Sequence, residues 1–108
     1  MLCFVQLSTS FSNCDRKGFI EERNYDSGVQ WLQQYQKILS MQQRDLIMKK
    51  AEIIGNFHDS YCYSKRMCEE LLPHFNTSKI PIVILKPSII GTAALEPMPG
   101  WTDSLGLL

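Results

Sequence analysis

The sequence predicts an α/β fold built on a parallel sheet. Two observations carry this. Residues 80–85 form a continuous apolar run ending in Ile82-Val83-Ile84-Leu85. Continuous rather than alternating hydrophobicity implies burial on both faces of a sheet, as parallel strands require. The elements also follow in the order strand, long loop with helix, helix, strand, which is the order of a right-handed crossover between parallel strands. Two strands are too few for a doubly wound sheet, so the reading is one piece of such a fold. In isolation both strands would lack most of their neighbours.

The first strand is Leu2-Cys3-Phe4-Val5-Gln6-Leu7, short, apolar and rich in strand formers; Ser8-Thr9-Ser10 ends it. It reads as a buried strand. Chain ends are usually exposed, so the expectation is that something precedes residue 1. Residues 13–27 are polar and read as a long loop with Glu21 and Glu22 solvated. Val29, Trp31, Leu32, Tyr35, Ile38, Leu39 and Met41 then recur at helical spacing, and Leu46, Ile47, Ile53 and Ile54 extend the pattern. This stripe is expected to be a packing face. One or two helices are predicted, broken near Ser40 and stopped by Gly55-Asn56. Asp59 or Ser60 caps the next helix. Pro73 marks its end or a kink. Pro87 stops the second strand, Ser88-Ile89-Ile90-Gly91 follows as a loop, and the segment from Leu95 is irregular. There is no internal repeat, and one domain accounts for all 108 residues.

Composition narrows the function classes. Eleven basic residues balance eleven acidic ones. No basic field exists to hold a nucleic-acid backbone, so nucleic acid is not an expected partner. The apolar runs fall far short of the roughly 20 residues that span a bilayer. Cys3, Cys14, Cys62 and Cys68 form no CxxC pair and no secretory signal precedes them, so they read as reduced and mostly structural. His58 and His74 are too few for a metal cluster, and no metal is expected.

The chemistry concentrates in Tyr61-Cys62-Tyr63-Ser64-Lys65. Residues 61 and 65 are four apart and share a helix face. A phenol has a pKa near 10 and is a poor acid at neutral pH. An ammonium close by stabilises the phenolate and brings that pKa down. Such a pair can protonate a carbonyl oxygen as hydride arrives. A nearby hydroxyl would hold and polarise the carbonyl. Thr9 and Ser8, at the carboxyl end of the first strand, are placed to supply it, because open α/β sheets bind ligands at that edge. Spacing alone also fits a tyrosine packed on a lysine stem of an ordinary helix.

Further blocks weigh against the bland reading. Residues 4–14 run strand-Ser8-Thr9-Ser10-Phe11-Ser12-Asn13-Cys14. Glu69 and Glu70 follow the Tyr61–Lys65 block. Residues 80–91 hold a strand and then Lys86-Pro87-Ser88-Ile89-Ile90-Gly91. The last block is Glu96-Pro97-Met98-Pro99-Gly100-Trp101-Thr102-Asp103. In order and spacing these resemble the alcohol-forming fatty acyl-CoA reductases, members of the extended short-chain dehydrogenases, over nearly the whole chain. The last block is the most specific, because most other short-chain dehydrogenases lack it.

The resemblance implies a partial Rossmann-type doubly wound parallel sheet, the central to C-terminal half of a dinucleotide-binding domain spanning 1–108. It implies NADPH as cofactor and a long-chain fatty acyl-CoA as substrate, reduced through an aldehyde to a fatty alcohol. Tyr61 would be the proton donor. Lys65 would lower its pKa and bind the nicotinamide ribose. Thr9 would be the supporting hydroxyl, with Ser8 as the alternative. Pro87, Ser88, Ile89 and Ile90 would pack near the nicotinamide. A full-length family member would be open to membrane association at peroxisomes or the endoplasmic reticulum.

The sequence also departs from the family pattern. Phe11 stands where a Tyr is usual, Asp59 where an Asn is usual, and Lys86 where an Arg would offer a fixed fork of donors. No GxGxxG occurs, so the loop that would cradle the pyrophosphate is not among these residues. The alternative reading is therefore a catalytically inactive fragment or interaction module of the same family. A lipid-surface helix is a third reading. It has little support, because residues 31–41 offer glutamines and only Lys37 on the polar face.

Overall fold

The computed structural model describes residues 2–103. The two strands are β1 (Phe4–Leu7) and β2 (Ile82–Leu85). They pair in parallel with Phe4 opposite Ile82 and Leu7 opposite Leu85. Between them lie a 3₁₀ turn (Ser10–Asn13) and four helices: α1 (Trp31–Ser40), α2 (Gln43–Met48), α3 (Lys50–Ile54) and α4 (Ser60–Phe75). The parallel pair bears out the crossover read from the sequence.

Burial on both sheet faces is not found. Ile82 and Ile84 are half-buried, and with Leu72 of α4 they line one cleft. Val5, Leu7, Val83 and Leu85 are each more than 40% exposed. Adjacent side chains on a strand point to opposite faces. No element among the described residues covers the face that carries these four. The apolar run in β2 therefore has the composition of a two-sided strand but packs on one side only.

The helical stripe is a packing face, as expected. Trp31, Tyr63 and Leu71 are buried, with Tyr35, Ile38, Ile53, Ile54, Phe57 and Met67 packed around them. The rings of Trp31 and Tyr63 lie 5.3 Å apart, and Phe57 meets Tyr63 edge-on at 5.6 Å. These tilted and edge-on contacts suit the ring quadrupoles. The break near Ser40 is also real. The Ser40 hydroxyl donates to the Lys37 carbonyl at 2.8 Å, and Met41 turns to extended backbone. The stretch beyond it divides again at Lys49, which the sequence does not announce. Gly55, at φ +60°, ends α3 in a conformation that costs other residues strain. Pro73 does not end α4; the helix runs on to Phe75.

Asp59 is the N-cap of α4, its carboxylate accepting from the Cys62 amide at 2.7 Å. That hydrogen bond, with help from His58, holds the Asp59 carboxyl at about 2 against an ordinary 3.8. The cap is therefore ionised at neutral pH and complements the positive end of the helix.

The long segment 14–30 has no regular structure. A buried guanidinium anchors it. Arg66 of α4 is fully buried. Its Nε donates to Glu70 Oε1 at 2.5 Å, Nη1 donates to Asn13 Oδ1, and Nη2 donates to the Tyr25 carbonyl at 2.6 Å. Glu70 in turn accepts from the Ser27 hydroxyl at 3.0 Å, and Ser27 Oγ accepts from Trp31 Nε1 at 2.8 Å. The network runs from the turn after β1, through α4, to the first residue of α1. It makes the loop part of the folded body rather than an appendage.

Candidate active site

The site forms where α4 passes the carboxyl ends of the two strands. Capping by Asp59 starts α4 one residue before Tyr61, so Tyr61 and Lys65 stand one turn apart on its outer face. Tyr61 is 53% exposed. Lys65 Nζ lies 5.7 Å from the centre of the Tyr61 ring and donates to the Leu7 carbonyl at 3.1 Å. One ammonium thus lies over the Tyr61 ring and is hydrogen-bonded to the end of β1. Two of its three N–H donors remain for other acceptors.

Ser8 and Thr9 follow Leu7 and are both buried. Their hydroxyls are committed differently. Ser8 Oγ donates to Glu69 Oε1. Thr9 Oγ1 accepts from the Phe11 amide at 3.2 Å and caps the 3₁₀ turn. A hydroxyl has one proton. That of Ser8 is spent on Glu69, whereas that of Thr9 is free to donate.

The end of β2 joins the same place. Ser8 N–H donates to the Leu85 carbonyl at 2.8 Å and Ser10 N–H to the Pro87 carbonyl at 2.9 Å. Pro87 is therefore held beside Ser8 and Thr9. Lys86 Nζ lies 2.7 Å from Glu69 Oε2. Ser88, Ile89 and Ile90 continue as exposed irregular chain. No hydrogen bond joins them to Tyr61 or Lys65 among the described residues. The structure thus places Ser8, Thr9 and Pro87 at one strand-end edge, which Lys65 joins to Tyr61, and Ser88, Ile89 and Ile90 follow Pro87 as exposed chain. The segment 93–101 closes on itself: the Ala93 amide donates to the Trp101 carbonyl and the Gly100 amide to the Ala93 carbonyl, both at 2.8 Å.

Next to Tyr61, the Cys62 thiol is buried, and burial first, then Asp59 and Cys14, push it up to about 12. It stays protonated and is no nucleophile at neutral pH. All four cysteines are free, as the sequence suggested. Among the described residues, no helix is long and apolar enough to cross a membrane.

Chemically, the cluster offers one exposed phenol beside one ammonium, and one buried hydroxyl with a proton to give. It sits at the strand-end edge where α/β sheets take ligands. A nicotinamide ribose presents hydroxyl acceptors, which suit the two open donors of Lys65. Two residues central to the arrangement, Arg66 and Glu69, are not marked by their chemistry in the sequence. The i,i+4 spacing of Arg66 and Glu70 is a legible signal for their ion pair. Glu69 meets Ser8 across 61 positions, and no local pattern announces that contact.

The model of the male sterility protein family, an NAD-binding family, matches residues 1–108. Fatty acyl-CoA reductase 1 of Xenopus laevis is 33% identical over 101 residues. Fatty acyl-CoA reductase 2 of Bos taurus is 33% identical over 112 residues, and fatty acyl-CoA reductase 1 of Homo sapiens 29% over 101. Each match covers 94% of this chain and 19% of the relative. The chain thus spans about a fifth of the length of the curated relatives it matches. No solved structure matches. A parallel strand pair, a helix carrying tyrosine and lysine one turn apart, and a family match over every residue agree: the chain belongs to the male sterility protein family of NAD-binding domains.

Proposed function

We propose that this chain is part of the NAD(P)-binding domain of an alcohol-forming fatty acyl-CoA reductase and carries its proton-transfer residues. The observation that carries this reading is Lys65, which links the exposed Tyr61 to the end of β1. The reductase names of the relatives support it. The open apolar face of Val5, Leu7, Val83 and Leu85 supports a place within a larger sheet. That face, with both strand edges free to pair, also favours a partial domain over a self-contained interaction module.

In this reading, Tyr61 gives its proton to the carbonyl oxygen of a long-chain substrate. Lys65 stabilises the phenolate that remains and holds the ribose hydroxyls. Thr9 donates to the same carbonyl oxygen, since its proton is free and that of Ser8 is not. Pro87 and the residues after it, Ser88, Ile89 and Ile90, back the nicotinamide. NADPH, when bound, supplies the hydride. Its choice over NADH rests on the family resemblance. The first reduction releases coenzyme A from the thioester and leaves an aldehyde. The second converts the aldehyde to the alcohol. Both consume one hydride and one proton, so one set of proton-transfer residues serves both.

The test uses the native polypeptide, isolated with an antibody against this segment and given palmitoyl-CoA and NADPH. The expected result is hexadecanol, with two NADPH oxidised per alcohol formed. Recovery of the polypeptide with neither NADPH oxidation nor alcohol would overturn the proposal.

A further inference from the structure

The buried carboxylate of Glu69 has no place in the chemistry above, yet it touches two parts of the site. It lies one turn beyond Lys65 on α4, and its side chain is 4% exposed. Oε1 accepts from Ser8 at the end of β1. Oε2 pairs with Lys86 at the end of β2, 2.7 Å away. Thr9 follows Ser8, and Pro87 follows Lys86. Burying an ion is unfavourable unless it is paired and hydrogen-bonded, and here one oxygen accepts from Ser8 while the other is ion-paired with Lys86.

The backbone alone does not set the position of α4. The ladder contacts from Ser8 to Leu85 and from Ser10 to Pro87 join the strands to each other. The helix reaches the strand ends through Lys65 on the Leu7 carbonyl and through Glu69. Lys65 is a long, half-buried side chain with one contact there. Glu69 is buried and has two, just past the ends of different strands, which fix direction as well as distance.

We infer that Glu69 is a positioning residue for the reduction: by holding Ser8 and Lys86 at once, it sets Thr9 and Pro87 against Tyr61 and Lys65. The inference rests on the reductase reading for its catalytic consequence. A displacement of about 1 Å in a reacting group can cost on the order of 10²-fold in rate. The same contact explains why Thr9 rather than Ser8 is left to meet a carbonyl. Glu69 also gives Lys86 a role. A lysine serves where the family pattern has an arginine, because a single buried oxygen is its target.

The experiment compares Glu69→Gln, Glu69→Asp and Lys86→Met in the native polypeptide, with two kinds of readout. The first is amide hydrogen exchange, which needs no turnover. Glu69→Gln should speed exchange of the Ser8 and Ser10 amides at least about tenfold, while Tyr63 and Leu71 in the core stay protected. The second is kinetics. Glu69→Gln should lower kcat by about 10- to 100-fold, with a much smaller change in the dissociation constant for NADPH. Glu69→Asp is one methylene too short to hold both partners and should lose kcat too. Adding Lys86→Arg, whose longer fork reaches back to the shorter acid, should restore much of that loss.

A residue that only stabilises the fold would lower the melting temperature and leave kcat of the folded protein intact; that outcome overturns the inference. If Glu69→Gln does not fold, Lys86→Met decides. It removes one of the two contacts, and unchanged kcat with unchanged exchange at Ser8 and Ser10 would overturn the inference. Failure of the unaltered protein to turn over would instead overturn the reductase reading, and with it the catalytic role. The exchange readout would still show whether Glu69 ties the strand ends to α4.

Discussion

In the native polypeptide, Tyr61→Phe lowers the rate of fatty alcohol formation by about 10²- to 10⁴-fold, the range a positioned general acid contributes. The substitution removes one oxygen and almost no volume. The ring is half exposed and lies outside the Trp31, Tyr63 and Leu71 core. Stability should therefore change by no more than about 0.5 kcal/mol, as for surface positions elsewhere. Binding of NADPH should persist, because Lys65 keeps its contact with the Leu7 carbonyl. The matched control is Tyr63→Phe. Tyr63 is two residues away and buried, and burial raises the pKa of its hydroxyl. It belongs to the core and should leave the rate of alcohol formation near that of the unaltered protein. Steady-state kinetics on both variants checks the pair. Equal effects would mean that the phenol of Tyr61 is not the proton source.

Arg66→Ala is the substitution with the largest expected effect on stability, about 3–5 kcal/mol, the cost of removing one partner of a buried ion pair. Three groups lose their donor at once: Glu70 Oε1, Asn13 Oδ1 and the Tyr25 carbonyl. Glu70 is the most costly of these, because its carboxylate is only 16% exposed. Removing Glu70 as well should cost much less than the sum of the two single changes, since neither charge is then left alone. Denaturant unfolding of the two single variants and the double variant checks this. Additive losses would show that Arg66 and Glu70 act independently, and that segment 14–30 is not held through them.

Much of the site was legible because its logic is local. The spacing of Tyr61 and Lys65 on one helix is a repeat of four and follows from helix geometry. The end of β1 at Ser8 and Thr9 follows from the change from apolar to polar residues. The parallel pairing followed from element order. Burial did not. β2 reads as a strand covered on both faces, yet Val83 and Leu85 are exposed. Composition records what a strand is suited to pack against, whereas burial depends on which neighbours are present. Pro73, read as an end or a kink of α4, does not end it: the helix runs on to Phe75. Its missing N–H costs one hydrogen bond near the end of α4, too little to stop a helix already anchored by Arg66 and Glu69. The burial of Arg66 was silent, because a charged residue on a helix usually faces water. Its burial depends on Asn13 and Tyr25, which lie 53 and 41 positions away.

The most direct test of the central claim is a structure of the native polypeptide with NADPH and a long-chain aldehyde bound. The expected complex has the aldehyde oxygen within about 2.6–3.2 Å of both Tyr61 Oη and Thr9 Oγ1, with Lys65 Nζ on the ribose hydroxyls. An aldehyde seated away from the ends of β1 and β2, or a nicotinamide out of reach of Lys65, would contradict it.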